Sequence, residues 1–162
     1  MPEVISNTSP LQYLHQLGLL PVLPALAGRV IVPPAVLQEL AVGRAQGINL
    51  PELIGMDWVT VRHPSSQAAL PLVTDLGPGE TEVLALALES SDAVVILDDA
   101  LARQVAVTFG IRLRGTLGIL LDAKRAGLVP TIAPLLDQLH ALRFHLSPHT
   151  RAAILELAGE SA

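Results

Sequence analysis

The sequence predicts an α/β fold: a central parallel sheet of about four to five strands with helices on both faces. Three observations carry that expectation. Short β-prone apolar runs alternate along the chain with helical patterns, as right-handed crossovers between parallel strands require. Ala93-Val94-Val95-Ile96-Leu97 is apolar throughout instead of alternating, the pattern of a strand buried on both faces. Apolar residues make up 51% of the chain, yet the only aromatic ones are Tyr13, Trp58, Phe109 and Phe144. The core must therefore be built from Leu, Val, Ile and Ala.

Taken in order, Val4-Ile5-Ser6 is a first strand, and Asn7-Thr8-Ser9-Pro10 a turn and helix cap with Pro10 suited to the first helical position. Leu11, Leu14, Leu17 and Leu20 then recur at helical spacing. Val30-Ile31-Val32 is a second strand stopped by Pro33-Pro34, followed by a helix from about Ala35 to Arg44. Trp58-Val59-Thr60-Val61 is a weaker third strand. Gly77-Pro78-Gly79 reads as a turn, and Glu80 opens a helix running to about Glu89. After the strand Ala93–Leu97, a helix covers about Ala100 to Phe109, Gly110 stops it, and Ile111–Arg114 is the last strand. Gly115-Thr116 turns into a helix ending near Ala126, and two more helices cover Leu135–Leu142 and Pro148–Leu157.

Length and composition suit one domain spanning residues 1–162, with the C-terminal helices from about residue 131 packed on it. With no cysteine there is neither a disulfide nor a thiolate zinc site, which is compatible with a cytoplasmic location. The longest stretch without a formal charge, Val4 to Gly28, contains Asn7, Gln12, His15, Gln16 and three prolines, so it is not expected to span a membrane. Glu3 stands where a secretory leader would be basic. The formal net charge of −5 does not advertise phosphate binding, but carboxylates gathered around a divalent cation would account for it. Arg103, Arg112, Arg114, Lys124 and Arg125 leave room for a local basic surface. The scarcity of aromatics argues against base stacking as the main mode of nucleic-acid recognition.

Sites in open parallel sheets form beyond the carboxyl ends of the strands. Asn7, Glu80, Asp98 and Asp99 fall just after a strand or at the start of a helix, and Glu39 one turn into one. Magnesium and manganese take oxygen ligands, often a few carboxylates plus water. Each residue also has a plainer reading. Asn7 or Ser9 can cap the first helix. Glu39 can lie on a solvated face, and Glu80 can answer a helix dipole. One of Asp98 and Asp99 can cap the helix from Ala100, although two aspartates exceed what a cap needs. Glu82, Glu89 and Asp92 read as solvated. The five histidines form no metal pattern.

Five segments in order resemble the PIN-domain family, in particular small prokaryotic PIN-like proteins: Val4-Ile5-Ser6-Asn7-Thr8-Ser9-Pro10-Leu11, Val32-Pro33-Pro34-Ala35-Val36-Leu37-Gln38-Glu39-Leu40, Leu76-Gly77-Pro78-Gly79-Glu80-Thr81-Glu82, Leu97-Asp98-Asp99-Ala100-Leu101-Ala102-Arg103 and Gly115-Thr116-Leu117-Gly118. The resemblance implies a three-layer sandwich and a metal-dependent endoribonuclease related to the toxins of toxin–antitoxin pairs. Glu39, Glu80 and Asp98 or Asp99 would be its catalytic acids. Asn7, Glu80, Asp98 and Asp99 would be the ligands of Mg2+ or Mn2+, and Ser9, Arg103 and Thr116 would meet the substrate, with Arg112 and Arg114 as further phosphate contacts. RNA, an antitoxin protein and a second copy in a homodimer are the implied partners. Asn7 departs from the pattern, since the family's first acid is normally aspartate: an amide oxygen can ligate a cation but brings no charge. A non-catalytic RNA- or protein-binding module is therefore the alternative reading. A phosphoacceptor receiver ranks last, because the only lysine, Lys124, lies well inside a helix.

Overall fold

The computed structural model describes residues 2–65 and 75–160. Five strands, β1 (Glu3–Ser6), β2 (Val30–Val32), β3 (Val59–Val61), β4 (Ala93–Ile96) and β5 (Arg112–Arg114), form one parallel sheet in the order β3-β2-β1-β4-β5. Every residue of β2 is buried. Because successive side chains point to opposite faces of a strand, both sides of the sheet are covered there, as an α/β sandwich requires.

The covering helices are α1 (Thr8–Gln16), α2 (Val22–Ala27), α3 (Pro34–Ala45), α4 (Pro78–Glu89), α5 (Ala100–Thr108), α6 (Thr116–Arg125), α7 (Ala133–Ala141) and α8 (Pro148–Leu157). One hydrophobic cluster joins Ile5 of β1 and Val95 of β4 to Leu136 and Leu139 of α7. By contrast, α8 has no fully buried residue.

Several boundaries differ from those the sequence suggests, each for a local reason. Helix α1 begins at Thr8, ahead of Pro10, because the first-turn N–H that proline lacks has no intrahelical partner anyway. It ends before Leu17, so Leu20 is not part of it. Gly18 takes φ +74°, and Gly18 N donates to His15 O (2.9 Å) while Leu19 N donates to Leu14 O (2.8 Å), a Schellman ending. Helix α2 was not expected at all, since Pro21 and Pro24 interrupt any helical reading. Helix α4 starts at Pro78, so Gly79 belongs to its first turn and not to a preceding loop.

The sheet order places a topological switch between β1 and β4. The chain moves from β1 to β2 and β3 on one side, then crosses to β4 and β5 on the other. Segments leaving two such neighbouring strands diverge and open a crevice above their carboxyl ends. The register pairs Ser6 with Ile96, so Asn7 and Leu97-Asp98 emerge side by side.

Candidate active site

Asn7 is the residue most committed to this crevice. Its backbone N donates to Ile96 O (3.0 Å), extending the β1–β4 ladder, and the residue is only 2% exposed. It occupies the N-cap position of α1, yet its side chain makes no capping hydrogen bond, so the plain capping role does not apply. Its Oδ1 is buried with no hydrogen-bond partner among the described residues. An orphaned buried acceptor costs about 1–3 kcal/mol, an expense a bound cation would remove.

Glu39 faces the same point. Thr8 Oγ1 donates to Glu39 Oε1 (2.5 Å) and Gly79 N donates to Glu39 Oε2 (3.0 Å), so this carboxylate ties together the starts of α1 and α4 from its place on α3. Gly79 permits the approach: a Cβ there would lie 2.5 Å from Glu39 Oε1 and 2.9 Å from Asn7 Oδ1. Thr8 is a contributor that the sequence did not single out; the hydroxyl noted there was that of Ser9, which lies in the first turn of α1 and has no side-chain hydrogen bond among the described residues. Its only signal was its position directly after Asn7.

Glu80 sits in the first turn of α4, half-buried, with its carboxylate turned back toward Gly77. Glu82, read from sequence as solvated, is instead a clamp. Its Oε1 accepts from Ala35 N (3.1 Å) in the first turn of α3, and its Oε2 is buried without a partner among the described residues. An anion there answers the unpaired amides and dipole of α3.

The two neighbouring aspartates take different roles. Asp99 is exposed and accepts from Ala102 N (3.0 Å), capping α5. Asp98 turns inward, where both oxygens accept from Thr116, Oδ1 from its backbone N (2.8 Å) and Oδ2 from its hydroxyl (2.6 Å). Burial pushes the Asp98 carboxyl above the ordinary aspartate range, against the opposing pull of the Thr116 hydrogen bonds and the positive Arg103. Tyr13 lies within the field of Asp98: burial first, and then that negative charge, raise its phenol. Arg103 is anchored by Nη1 donating to Leu97 O (3.0 Å) and has no carboxylate in ion-pair range among the described residues.

The other two arginines are placed otherwise. Arg112 pairs with Asp92 at the opposite end of the sheet from Asp98, so it does not reach the crevice. Arg114 is held bidentately by Asp122 (2.9 and 2.5 Å), which leaves Arg103 as the cation beside Asp98.

As for a metal, the oxygen donors suit a hard divalent ion, and the orphaned Asn7 Oδ1 is the kind of atom such an ion would satisfy. Among the described residues, however, no three His, Asp or Glu side chains are grouped closely enough to hold a metal by themselves. The donor set that fits is therefore sparse, an amide oxygen and one or two carboxylates completed by water.

A five-stranded parallel sheet covered by helices, with Asn7 and Asp98 at its switch point, places the chain among open α/β sandwiches, and the family comparison narrows it. The family model DUF3368, described as a PIN domain, matches residues 3–160, and the chain belongs to this PIN-domain family. No curated protein matches it significantly. No helix among the described residues is long and apolar enough to cross a membrane.

Proposed function

We propose that this chain is a metal-dependent endoribonuclease of PIN type that hydrolyses RNA phosphodiesters. The observation that carries the reading is the buried, unpartnered Oδ1 of Asn7 beside Glu39 in the switch-point crevice. Asn7, Asp98 and Glu80 would hold Mg2+ or Mn2+. The ion, when bound, supplies charge neutralisation at the phosphate and a more acidic water.

The chain's own groups do the rest. Thr116 fixes the Asp98 carboxylate through two hydrogen bonds and so sets its orientation before any ligand arrives. Thr8 and Gly79 do the same for Glu39, which holds negative charge beside the amide of Asn7. Arg103 offers its unpaired N–H groups to a phosphate oxygen. Asp99, occupied in capping α5, contributes through the helix it starts. A cytoplasmic toxin partnered by an antitoxin protein, and acting as a homodimer, is the biological setting in which this activity fits.

A non-catalytic RNA-binding module is the second reading, favoured by the uncharged Asn7 and by the absence, among the described residues, of a three-acid group. Cleavage of a labelled RNA pool across a manganese titration separates the two. Metal-dependent cleavage that disappears in both Glu80→Ala and Asp98→Ala supports the nuclease. RNA binding without cleavage at any manganese concentration selects the module, and cleavage that survives both substitutions points to a contaminant.

A further inference from the structure

Two hollows meet at Asp98. One is an open groove of about 870 Å3 along α5, bordered by Gln104, Val107 and Thr108. The other is a cavity of about 420 Å3 between the start of α6 and the C-terminal segment, with Phe144, His145, Thr150 and Ile154 on its far wall. Asp98, Arg103 and Leu113 line both, so together the hollows form one track past the inward carboxylate.

The far wall is built with care. Helix α7 ends in the same Schellman geometry as α1, with Phe144 N donating to Leu139 O (2.9 Å). Here, though, the left-handed residue is Arg143 (φ 67°), not glycine. A side chain in that region is unfavourable, so the turn that delivers Phe144 is maintained at a cost. Phe144 then packs edge-to-face against Tyr13, with ring centroids 5.0 Å apart. Further along, Glu160 pins the segment by accepting from Lys124 Nζ (2.8 Å), Ile132 N (2.9 Å) and Ala133 N (3.0 Å).

An aromatic ring, an imidazole, a hydroxyl and an arginine with no ion pair among the described residues thus share one cavity of ligand size. An aromatic face suits a nucleobase, while Arg103 and His145 suit a phosphate. We propose that this cavity is a nucleotide subsite, seating one nucleotide of single-stranded RNA beside Asp98 with its base on Phe144 and its phosphate on Arg103 and His145. The groove along α5 carries the strand away on the other side. The inference takes its substrate class from the nuclease reading, and a single stacking platform agrees with the chain's scarcity of aromatics.

The test uses the full chain in a chelating buffer with a short fluorescein-labelled single-stranded RNA, following anisotropy. Wild type is expected to bind. Phe144→Leu should weaken binding roughly 5- to 150-fold, the range of one lost base–aromatic stack. Phe144→Tyr should bind like wild type, Arg103→Gln should bind less tightly, and Arg29→Gln, outside both hollows, should change little. Melting temperatures identify any variant that fails to fold, and the Phe144→Tyr result shows whether an aromatic ring at this position suffices for binding. Wild type that does not bind RNA, or Phe144→Leu and Arg103→Gln binding as tightly as wild type, overturns the subsite. RNA bound through this cavity but never cleaved in manganese leaves the subsite standing and sinks the nuclease reading instead.

Discussion

Asp98 in the crevice and Glu160 at the C-terminus are both carboxylates drawn against the body of the protein, yet the fold treats them in opposite ways. Glu160 collects Lys124 and two backbone amides at the start of α7, and these partners, the Lys124 hydrogen bond foremost, hold its carboxyl below the usual range. Asp98 has Thr116 and a nearby Arg103, but burial outweighs them and its carboxyl is raised. On the neighbouring strand end, Asn7 Oδ1 has no hydrogen-bond partner among the described residues. At Glu160 the structure satisfies the charge that fastens the chain; in the crevice burial outweighs the partners of Asp98 and the Asn7 acceptor is left over. Such local expense is expected where a ligand completes the arrangement.

Removing the support behind Asp98 should have the strongest consequence. Thr116 is fully buried, and Thr116→Val keeps its shape while removing the hydroxyl donor. Metal affinity should fall roughly 10- to 100-fold, as for other losses of a partner behind a ligand, while Thr116→Ser should retain it. Isothermal titration with manganese measures both. Equal affinity in Thr116→Val would show that Asp98 does not need orienting.

Gly79→Ala comes next. The added methyl must displace Glu39 or Asn7, and overpacking of this kind costs about 1–3 kcal/mol. Urea unfolding in chelator should show that loss, together with a weaker metal response. An alanine tolerated without either would mean that Glu39 and Asn7 can separate freely.

The smallest effect is a contrast in pH dependence. A raised folded-state carboxyl, as in Asp98, contributes stability that is fully present below the unfolded range near ~3.9 and lost as pH climbs through the folded value. A lowered one, as in Glu160, contributes stability present above the unfolded range and lost as pH falls through the folded value. Without metal, Asp98→Asn should therefore stabilise the protein at neutral pH and lose that advantage in acid. Glu160→Gln should destabilise at neutral pH, with the deficit shrinking in acid. Thermal melts at the two pH values check both signs, and two substitutions that shift stability in the same direction would erase the contrast.

The fold was largely legible because its strongest elements announce themselves locally. Val30-Ile31-Val32 is an unbroken apolar run stopped by two prolines, and it is strand β2 residue for residue. Ala93–Ile96 and the helix from Pro148 are equally plain. Helix α2 was hidden because its prolines carry the opposite local signal, and Gly79 looked like part of a turn because proline and glycine usually punctuate. In the crevice, the position of Asn7 just after a strand pointed to it, and the Asp98-Asp99 pair divided as two adjacent acids can, one facing inward and one capping. What could not be read was anything that depends on another element's placement. Glu82 is a clamp only because Ala35 N arrives above it, Glu160 a pin only because α7 begins beside it, and Phe144 a cavity wall only because Arg143 turns the chain.

The proposed nuclease requires the crevice to be a cation site, with Asn7 a weakened ligand in it. The rise in melting temperature on adding manganese, measured for wild type beside Asn7→Asp, tests it most directly. A ligand specific to the native state stabilises by mass action, and an anionic oxygen at this shielded position strengthens its binding. Asn7→Asp should melt below wild type in chelator and rise further with manganese. An Asn7→Asp protein as stable as wild type without metal, and no more responsive to it, would contradict the claim.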